Sequence, residues 1–389
     1  MTPEAYLERV RALLPALRQR APDTEHLRRL PDETFKEFQE SGLFRALQPK
    51  RYGGYELDPG TFYQAVMDIG TVCGSSAWVL SVVGVHNWQL ALFPAHAQEE
   101  VWGDDSSLLI ASALAPTGAV ERVDGGFRLH GRWSFSSGCD FCQWAVLGGV
   151  IPSAQEGEPG DRRCFLLPRR DYLIDDNWHV MGLSGSGSKD LVVTDAFVPE
   201  YRTFSYREAF ELRSPGLALH EAPLYCLPFG CVFAYGIAAP AIGVALGALA
   251  CFREQAKTRF WARDGSRVAE DPFVQFRLAD AAAAVETARD RLLGDFADMM
   301  RLASAGLEIP LTQRAGCRWH AAHATALSAH AVDRLFEASG GRAIFLNNPI
   351  QRAWRDVHAM RAHSGNNPDK MAAIFSRAEL GLPPTDLAF

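Results

Sequence analysis

His86 lies in surroundings that could make it an acid–base group. It occurs in SVVGVHNWQLALF, an apolar helical stretch in which it is the only ionisable side chain. A histidine in such a stretch is usually a structural part of the core, held by hydrogen bonds. In a closed pocket, however, an imidazole that titrates near neutrality can take or give a proton. The sequence therefore leaves a structural and a catalytic interpretation open for His86.

The segment HGRWSFSSGCD, residues 130–140, combines aromatic side chains with hydroxyl donors. Trp133 and Phe135 alternate along a predicted strand that ends in the turn formed by Ser136, Ser137 and Gly138. An aromatic wall beside small hydroxyl groups is what a planar cofactor requires, because flat rings stack on aromatic faces. Many ordinary strand ends share this composition, so the segment alone is a weak signal for a cofactor site.

The loop GLSGSGSKD has the composition of a phosphate-binding loop. A Walker loop requires Lys directly after Gly, whereas Ser188 separates Gly187 from Lys189 here. A dinucleotide fingerprint must open a helix, but the following VVTDAFVP predicts a strand. Both nucleotide-loop interpretations are therefore rejected. A turn rich in glycine and serine can still bring backbone donors near a ligand ring.

Other reactive residue types indicate no further chemistry. Cys139 and Cys142 have C-x-x-C spacing, but no second pair follows to complete a zinc site, so we interpret them as structural cysteines. His320 and His323 lack the Glu-x-x-His motif of di-iron bundles and are expected on a helix surface or an interface. No G-x-S-x-G elbow occurs, which disfavours nucleophilic hydrolysis. The sequence predicts a site without metal.

Three successive segments would position these residues. Residues 1–107 show apolar side chains at helical spacing and are predicted to form an N-terminal helical domain. Residues 108–210 carry short β-branched and aromatic runs between Gly, Pro and Asp turns, which predicts a central β domain. Long helical periods return in residues 211–389 and predict a C-terminal helical bundle. This order belongs to the α+β class.

Composition narrows the setting in which the protein works. The chain has 389 residues, of which 48% are hydrophobic and 22% charged, as in folded globular proteins. Its net charge of −7 disfavours nucleic acid and anionic membranes as partners. The first twenty residues carry charges throughout, where a signal peptide needs an apolar run. Eight cysteines in a chain of this length do not indicate a secreted disulfide scaffold. We therefore expect a cytoplasmic location.

One long stretch without charges could be read as a membrane span. Ala222–Phe252 contains no charged residue and exceeds the roughly 20 residues that a span needs. Pro228 and Pro240 are expected to interrupt it, and its second half is dominated by small residues, which let helices approach closely. We therefore predict a buried helix or a subunit interface, and no membrane partner.

Nearly the whole chain resembles the acyl-CoA dehydrogenase superfamily. RFWARDGSRVAEDPFVQFRLADA (259–281), ASGGRAIF and NNPIQRAWRDVHAMRAHSGNN resemble three of its motifs, in the correct order. The resemblance implies an N-terminal helical domain, a central β-barrel or sandwich, a C-terminal four-helix bundle and a homotetramer. It also implies that Arg259, Gly340 and Gly341 contact a cofactor, because the family's Gly-Gly loop reaches the flavin of a neighbouring subunit.

The chain departs from the dehydrogenases where their catalytic base should be. The family's last motif usually runs on to Tyr-Glu-Gly-Thr, whose glutamate removes the substrate α-proton. Here the same place reads Ala362-His363-Ser364-Gly365. Without a carboxylate base, α,β-dehydrogenation loses its chemistry.

What remains resembles the group D flavin hydroxylases, which are oxygenase partners of separate flavin reductases. GVHNWQLALFP, ASALAPTG, GRWSFSSGCDFCQW, MGLSGSGS and RAHSGNN resemble motifs of the 3-hydroxy-9,10-seco-steroid 4-hydroxylase and 4-hydroxyphenylacetate 3-hydroxylase oxygenases. The resemblance implies that His86 and Ser112 bind a phenolic hydroxyl, that Ser137 contacts flavin N5, and that His363 faces a flavin C4a-hydroperoxide. Further residues would line the flavin: Trp133, Ser136, Ser186, Gly187 and Ser188. Ser184 replaces a usual arginine, and Phe141 and Gln143 replace polar residues, which could mark a more apolar ring system as substrate.

We therefore expect the oxygenase component of a two-component monooxygenase. It would take reduced flavin, FMNH2 or FADH2, from an NAD(P)H:flavin reductase by diffusion, and hydroxylate an aromatic substrate with O2. Three alternatives stay open at this point: an acyl-CoA dehydrogenase, a non-catalytic assembly subunit, and a member that oxygenates an amine, indole or thioether. The form of the flavin and the substrate also stay open.

Overall fold

Five helices form the N-terminal part of the protein. The computed structural model describes residues 1–153, 160–262 and 264–385, and these helices are α1 (Pro3–Leu27), α2 (Asp32–Glu40), α3 (Pro59–Gly70), α4 (Gly74–Leu90) and α5 (Ala95–Trp102). Two of them begin at side-chain caps. Thr2 accepts the N–H of Ala5 at 3.2 Å, and Asp58 accepts the N–H of Thr61 at 3.0 Å. The predicted helical character of this part is confirmed.

Helix α4 is enclosed by protein on every side. All of its residues except Val82 are buried, and it packs against α3, the first strand and the long helix that follows the β domain. A helix that is apolar all round belongs in a core, because no face of it favours water. The side chains of α4 are therefore held in defined positions.

Two four-stranded sheets make up the central part. The strands are β1 (Ile110–Ala113), β2 (Ala119–Val123), β3 (Gly126–Ser136), β4 (Trp144–Ile151), β5 (Asp161–Pro168), β6 (Leu173–Asp175), β7 (Lys189–Pro199) and β8 (Thr203–Ser205). One sheet has the order β1-β4-β5-β8 and the other β2-β3-β7-β6. Only the β1–β4 pair is parallel among the pairings of the described residues. The strands lie within the predicted β segment, 108–210.

A short helix and five further helices complete the chain. They are α6 (Tyr206–Phe210), α7 (Phe229–Thr258), α8 (Pro272–Ser304), α9 (Leu311–Ser339), α10 (Pro349–Arg361) and α11 (Pro368–Glu379). Residue 263, inside the 259–281 motif, lies outside the described residues. The predicted order of a helical, a β and a helical part is confirmed.

Helix α7 contains most of the long stretch without charges. Pro228 is its N-cap, but Pro240 lies inside the helix, so the expected interruption at Pro240 is wrong. Gly70 of α3 and Gly243 of α7 meet so closely that a β-carbon on Gly70 would lie 2.8 Å from the Cα of Gly243. By length and composition α7 could cross a membrane, and 78% of its most apolar window is buried inside the protein. This burial favours the predicted core helix.

Candidate active site

Helix α4 carries two of the side chains around which the site is built. Trp78 and His86 lie eight residues apart, which corresponds to about 12 Å along the helix axis at about 1.5 Å per residue. Each makes a hydrogen bond to a serine of the β domain, Trp78 to Ser137 and His86 to Ser112. The buried helix thus ties both ends of the candidate site to the central sheets.

His86 and Ser112 form one of these groups, as the resemblance implied. The Nε2 atom of His86 lies 2.6 Å from the Oγ of Ser112 on β1, and its Nδ1 atom lies 2.7 Å from the Oε1 of Gln89. Because an amide oxygen can only accept, the proton of the neutral ring is on Nδ1. Nε2 therefore accepts from the hydroxyl of Ser112. The amide of Gln89 is itself oriented, since its nitrogen contacts the Sγ of Cys164 at 3.6 Å.

The imidazole of His86 is neutral at ordinary pH. The residue is 2% exposed, and burial lowers its pKa to about 4, against a smaller opposite effect of the hydrogen bond to Gln89. Of the two interpretations left open by the sequence, titration near neutrality is therefore not favoured by the surroundings of His86 in the protein without ligands. A neutral ring with a fixed proton on Nδ1 offers one lone pair, on Nε2, to the Ser112 hydroxyl.

Serines from two loops form the second group. The Oγ of Ser137 lies 2.6 Å from the Oγ of Ser188, which lies 2.7 Å from the Oγ of Ser186. The two loops are also joined through the backbone, since the N–H of Gly138 donates to the carbonyl of Ser186 at 3.0 Å. Gly138 has a φ of +68°, a conformation that glycine adopts without steric cost, and this turn directs Ser137 toward α4.

Trp78 joins the serine group to the C-terminal loop and was missed by sequence reasoning. Its Nε1–H donates to the Oγ of Ser137 at 2.9 Å, and its ring centroid lies 6.0 Å from that of His363. An aromatic residue in an apolar helix is typical of any core, so no local signal marks Trp78. Its eight-residue spacing from His86 is the one pattern that could have indicated a shared role.

His363 begins a short turn after α10 and keeps an accessible face. Its Nδ1 accepts the N–H of Gly365 at 3.1 Å, so the proton of the neutral ring is on Nε2. The surrounding protein nevertheless lowers its pKa to about 4, mainly by burial and to a lesser extent through the charge of Arg318. His363 therefore presents a neutral Nε2–H donor.

The aromatic residues of the SFSSG segment separate into a core residue and an exposed one. Trp133 is 0% exposed, and its Nε1–H donates to the carbonyl of Gly148 in the opposite sheet at 2.8 Å. Phe135 is 70% exposed and contacts the ring of Trp178 edge-on, with centroids 6.1 Å apart. The structure thus places the predicted flavin-lining residue Trp133 inside the sandwich. Phe135, two residues before Ser137 in the chain, is the exposed aromatic side chain of this segment.

The remaining predicted lining residues differ in how they are held. The hydroxyl of Ser136 is buried and has no hydrogen-bond partner within the described residues. Gly187 has a φ of +55°, and a β-carbon there would meet the side chains of Asp140 and Arg29 within 3.3 Å. Only glycine fits this position without rearrangement, which sets the course of the chain between Ser186 and Ser188.

Two family models match the chain. The model described as "Acyl-CoA dehydrogenase, N-terminal domain" matches residues 3–105, and "Acyl-CoA dehydrogenase, C-terminal domain" matches residues 235–368. The crystal structure of the HsaA monooxygenase from M. tuberculosis superimposes with a TM-score of 0.95 at 45% identity, covering 100% of both chains. The predicted acyl-CoA dehydrogenase-like fold is confirmed.

Curated relatives give the activity class. The flavin-dependent monooxygenase oxygenase subunit HsaA of Rhodococcus jostii (strain RHA1) is 46% identical over 381 residues, or 98% of this chain and 99% of that protein. The oxygenase component of an FADH(2)-dependent resorcinol hydroxylase from Rhizobium sp. (strain MTP-10005) is 33% identical, over 97% and 94% of the two chains. The chain belongs to the oxygenase components of flavin-dependent monooxygenases. The predicted activity, flavin-dependent hydroxylation of an aromatic compound, is confirmed at this level.

The donor set of this oxygenase component fits a flavin ring. Ser137 accepts from Trp78, so its own hydroxyl proton can be directed to Ser188 or to a ligand. Phe135 offers an exposed aromatic face beside it, and His363 offers an Nε2–H on an accessible face. Ring nitrogens and carbonyl oxygens of a flavin accept such hydrogen bonds, and its flat surface suits an aromatic wall.

Arg259, Gly340 and Gly341 form a separate group in this oxygenase, at the C-terminal ends of α7 and α9. A β-carbon on Gly340 would lie 3.6 Å from an Nη atom of Arg259. Burial lowers the pKa of Arg259, and the charge of Arg342 lowers it further. Two neighbouring guanidinium groups repel each other and favour an anion between them. Within the described residues, no hydrogen bond, ion pair or ring contact joins this group to the Ser137 group.

The departures from the subgroup pattern serve packing in this oxygenase. Ser184 is 9% exposed, and its Oγ donates to the carbonyl of Val180 at 2.9 Å. Phe141 stacks on Phe35 of α2 with centroids 4.1 Å apart, so it contacts protein rather than a substrate ring. Gln143 accepts the N–H of Leu109 at 3.2 Å. The expectation that Phe141 marks a more apolar substrate is therefore not supported by its position.

The cysteines and distal histidines have structural partners. The thiol of Cys139 contacts the carbonyl of Gly187, and the thiol of Cys142 contacts that of Gly138. Burial raises the pKa of the Cys139 thiol to about 12, which makes it unreactive as a nucleophile. His320 is on α9, and its Nδ1 atom lies 2.9 Å from the Oδ2 atom of Asp295 on α8. These positions agree with the structural interpretation.

Proposed function

We propose that the substrate is a phenol whose hydroxyl binds at Ser112 and His86, and that reduced flavin binds with its ring between Ser137 and His363. The observation that carries this proposal is the 2.6 Å contact between His86 and Ser112, because it leaves a lone pair of the Ser112 oxygen to accept a phenolic proton. Ser112 is only partly covered by protein, so a substrate can reach it.

The His86–Ser112 pair polarises the phenol rather than removing its proton. A phenol has a pKa near 10, and the pKa of His86 is about 4. Moving a proton across six pKa units costs roughly 8 kcal/mol. Accepting a hydrogen bond from the phenol does not require this proton transfer, and it still increases the electron density on the phenol ring. The carbon beside the hydroxyl then becomes a better nucleophile.

When bound, reduced flavin would supply the two electrons that activate O2, and O2 would supply the oxygen atom that is transferred to the substrate. Ser137 would orient the flavin ring, because Trp78 holds its oxygen and leaves its proton for a ring atom. His363 would donate its Nε2–H into the site, since Gly365 occupies Nδ1. The indole of Trp78, which is 5% exposed and contacts both Ser137 and His363, would limit the access of water to this region. Exclusion of water favours transfer of oxygen to the substrate over release of hydrogen peroxide.

The Arg259–Arg342 pair would hold the negatively charged tail of the flavin. The charges fit the phosphate of FMNH2 or the pyrophosphate of FADH2. Within one chain this group is separate from Ser137. A flavin tail held here would therefore belong to a flavin whose ring is bound in another copy of the chain. Large apolar side chains around the Gly340–Gly341 loop are exposed and would be covered in the proposed homotetramer: Phe260, Phe273, Phe276, Ile344, Phe345 and Leu346.

The partners and the compartment follow from the same reasoning. An oxygenase component needs a separate NAD(P)H-dependent reductase, and we propose that reduced flavin reaches this chain by diffusion. We also propose that the protein works in the cytoplasm. All eight cysteines are free thiols, and seven of them are wholly or partly covered by protein, as expected where thiols stay reduced.

Replacing His363 tests the assignment. His363→Ala should lower hydroxylated product per reduced flavin by roughly 10²-fold or more, the usual scale for a proton-donating group, and raise hydrogen peroxide accordingly. Product and peroxide are measured after mixing protein, reduced flavin, a phenol and O2. His358→Ala is the matched control, because His358 lies five residues earlier and pairs with Asp333 instead. Normal coupling in His363→Ala would remove His363 from the chemistry.

A second assay, with an acyl-CoA and an artificial electron acceptor in place of the phenol and O2, distinguishes the rival activity. If the protein hydroxylated no phenol but oxidised an acyl-CoA with an artificial electron acceptor, the proposed function would be wrong. The absence of a carboxylate between residues 361 and 367 argues against that result.

A further inference from the structure

Asp356 connects three elements that carry the candidate site. It lies on α10, seven residues before His363, and is 3% exposed. Its Oδ1 accepts the backbone N–H of Leu183 at 2.7 Å. Its Oδ2 lies against the first residue of α4, since a β-carbon on Gly74 would be 2.7 Å from it. The Asp356 carboxylate on α10 therefore contacts both the loop that contains Leu183 and Ser186 and the N-terminus of α4, the helix that carries Trp78.

The contact to Leu183 holds a backbone conformation that leucine rarely adopts. Leu183 has a φ of +55°, in the left-handed region that disfavours side chains with a β-carbon. Its carbonyl accepts the N–H of Ser186 at 2.9 Å and the Nε1–H of Trp178 at 3.2 Å. Leu183 thus determines the path of the loop that ends at Ser188, the hydrogen-bond partner of Ser137.

Neighbouring contacts hold the same loop against α10. Arg355 donates from Nη1 to the carbonyl of Met181 at 2.6 Å. Gly182 packs against the backbone of Arg355, because a β-carbon on Gly182 would lie 2.2 Å from the carbonyl oxygen of Arg355. Glu25 of α1 pairs with Arg355 and, at 3.0 Å, with Arg352. The arginines are thereby held by Glu25 instead of pairing directly with Asp356.

The charge of Asp356 has a defined environment. Burial raises the pKa of its carboxyl to about 6, Glu25 adds to this, and the N–H of Leu183 with Arg355 and Arg352 opposes it. The carboxyl lies at the N-terminus of α4, where the helix dipole favours an anion and the cap residue Cys73 contributes no side-chain hydrogen bond. Burial of this group is costly, so its position indicates a requirement for the contacts it makes.

We propose that Asp356 is a positioning residue that sets the placement of the Ser186–Ser188 loop relative to Trp78 and His363. This inference rests on the proposed function, because the loop matters for coupling only if Ser137 and His363 face the flavin. Asp356 touches neither of them. It acts by holding Leu183, and through that backbone it limits how far Ser188 can move away from Ser137.

Two substitutions separate the hydrogen bond from the charge. Asp356→Asn keeps an oxygen that accepts the N–H of Leu183, whereas Asp356→Ala removes the acceptor. We expect Asp356→Ala to raise the fraction of reduced flavin lost as hydrogen peroxide about tenfold, with the KM for the phenol changed less than threefold. Asp356→Asn should remain within about threefold of the wild type in both quantities.

Asp295→Ala is the matched control for lost stability. Asp295 is a largely covered carboxylate of α8 that accepts the hydroxyl of Tyr235 at 2.6 Å, away from the serine loop. Its replacement should lower the unfolding midpoint without raising peroxide. If Asp295→Ala uncoupled as strongly as Asp356→Ala, or if Asp356→Asn behaved like Asp356→Ala, the positioning role would be refuted.

Hydrogen exchange of the protein without flavin gives a readout that needs no turnover. The amides of residues 181–188 should exchange at least tenfold faster in Asp356→Ala, and at wild-type rates in Asp356→Asn and Asp295→Ala. Unchanged exchange in Asp356→Ala would overturn the inference even if hydroxylation were normal. If the exchange rates followed the expected pattern but the protein hydroxylated no phenol, the proposed function would be wrong. The inference that Asp356 positions the loop would still hold.

Discussion

Replacing Gln89 by glutamate would place a negative charge beside the imidazole of His86. In the structure the Oε1 of Gln89 lies 2.7 Å from Nδ1, so the two charge centres would be about 4 Å apart. At the effective dielectric constant of about 20 that suits protein sites, the attraction is about 4 kcal/mol, or about 3 pKa units. Gln89→Glu should therefore move the pKa of His86 from about 4 to near neutrality.

The assay is the pH dependence of kcat/KM for a phenol at saturating reduced flavin, between pH 5 and 9. The wild type should show no loss on the acid side of this range, because His86 stays neutral above its pKa of about 4. In Gln89→Glu a protonated His86 can no longer accept from Ser112. Its kcat/KM should therefore fall about tenfold per pH unit below roughly pH 7.

Gln89→Met is the uncharged control. It removes the acceptor of the Nδ1–H without adding a charge, so its profile should stay flat while its level drops, because an unpaired buried donor costs about 1–3 kcal/mol. If the Gln89→Glu profile matched the wild-type profile from pH 5 to 9, protonation of His86 would not control the reaction. The proposed role of the His86–Ser112 pair would then be wrong.

Two further predictions concern Trp78 and acid stability. Trp78→Phe removes the donor to Ser137, worth about 1 kcal/mol, and should weaken binding of reduced flavin about fivefold in a fluorescence titration; an unchanged Kd would contradict the role of Trp78. For His86 the unfolded state takes up a proton near pH 6.5 and the folded state near 4, so folding stability falls as the pH falls between these values. Urea unfolding should show about 2 kcal/mol of this loss between pH 7 and 5. The loss should be absent in His86→Gln, and an equal loss in both proteins would show that other groups cause it.

The sequence by itself determined the class of fold and named most residues of the candidate site. Helical periodicity and short β-branched runs depend on local chain geometry, so the helical, β and helical parts could be read directly. The order of motifs indicated a flavin-dependent oxygenase, and the missing glutamate before Ser364 argued against a dehydrogenase. His86 with Ser112, and Ser137 with Ser188, were named by resemblance, and the structure brings each pair within 2.6 Å.

Only the tertiary structure decided how these residues are charged, oriented and joined. Residues 78 and 137, and residues 183 and 356, are distant in sequence, so no local pattern shows that they form hydrogen bonds. Phe135 is exposed and Trp133 buried because β3 is irregular between Trp133 and Ser136, where Phe135 has a φ of +69°; on a regular strand, residues two apart would share a face. For His86 the sequence left open whether the ring titrates near neutrality. Its low pKa arises from burial, which is a property of the folded protein and not of the residue type.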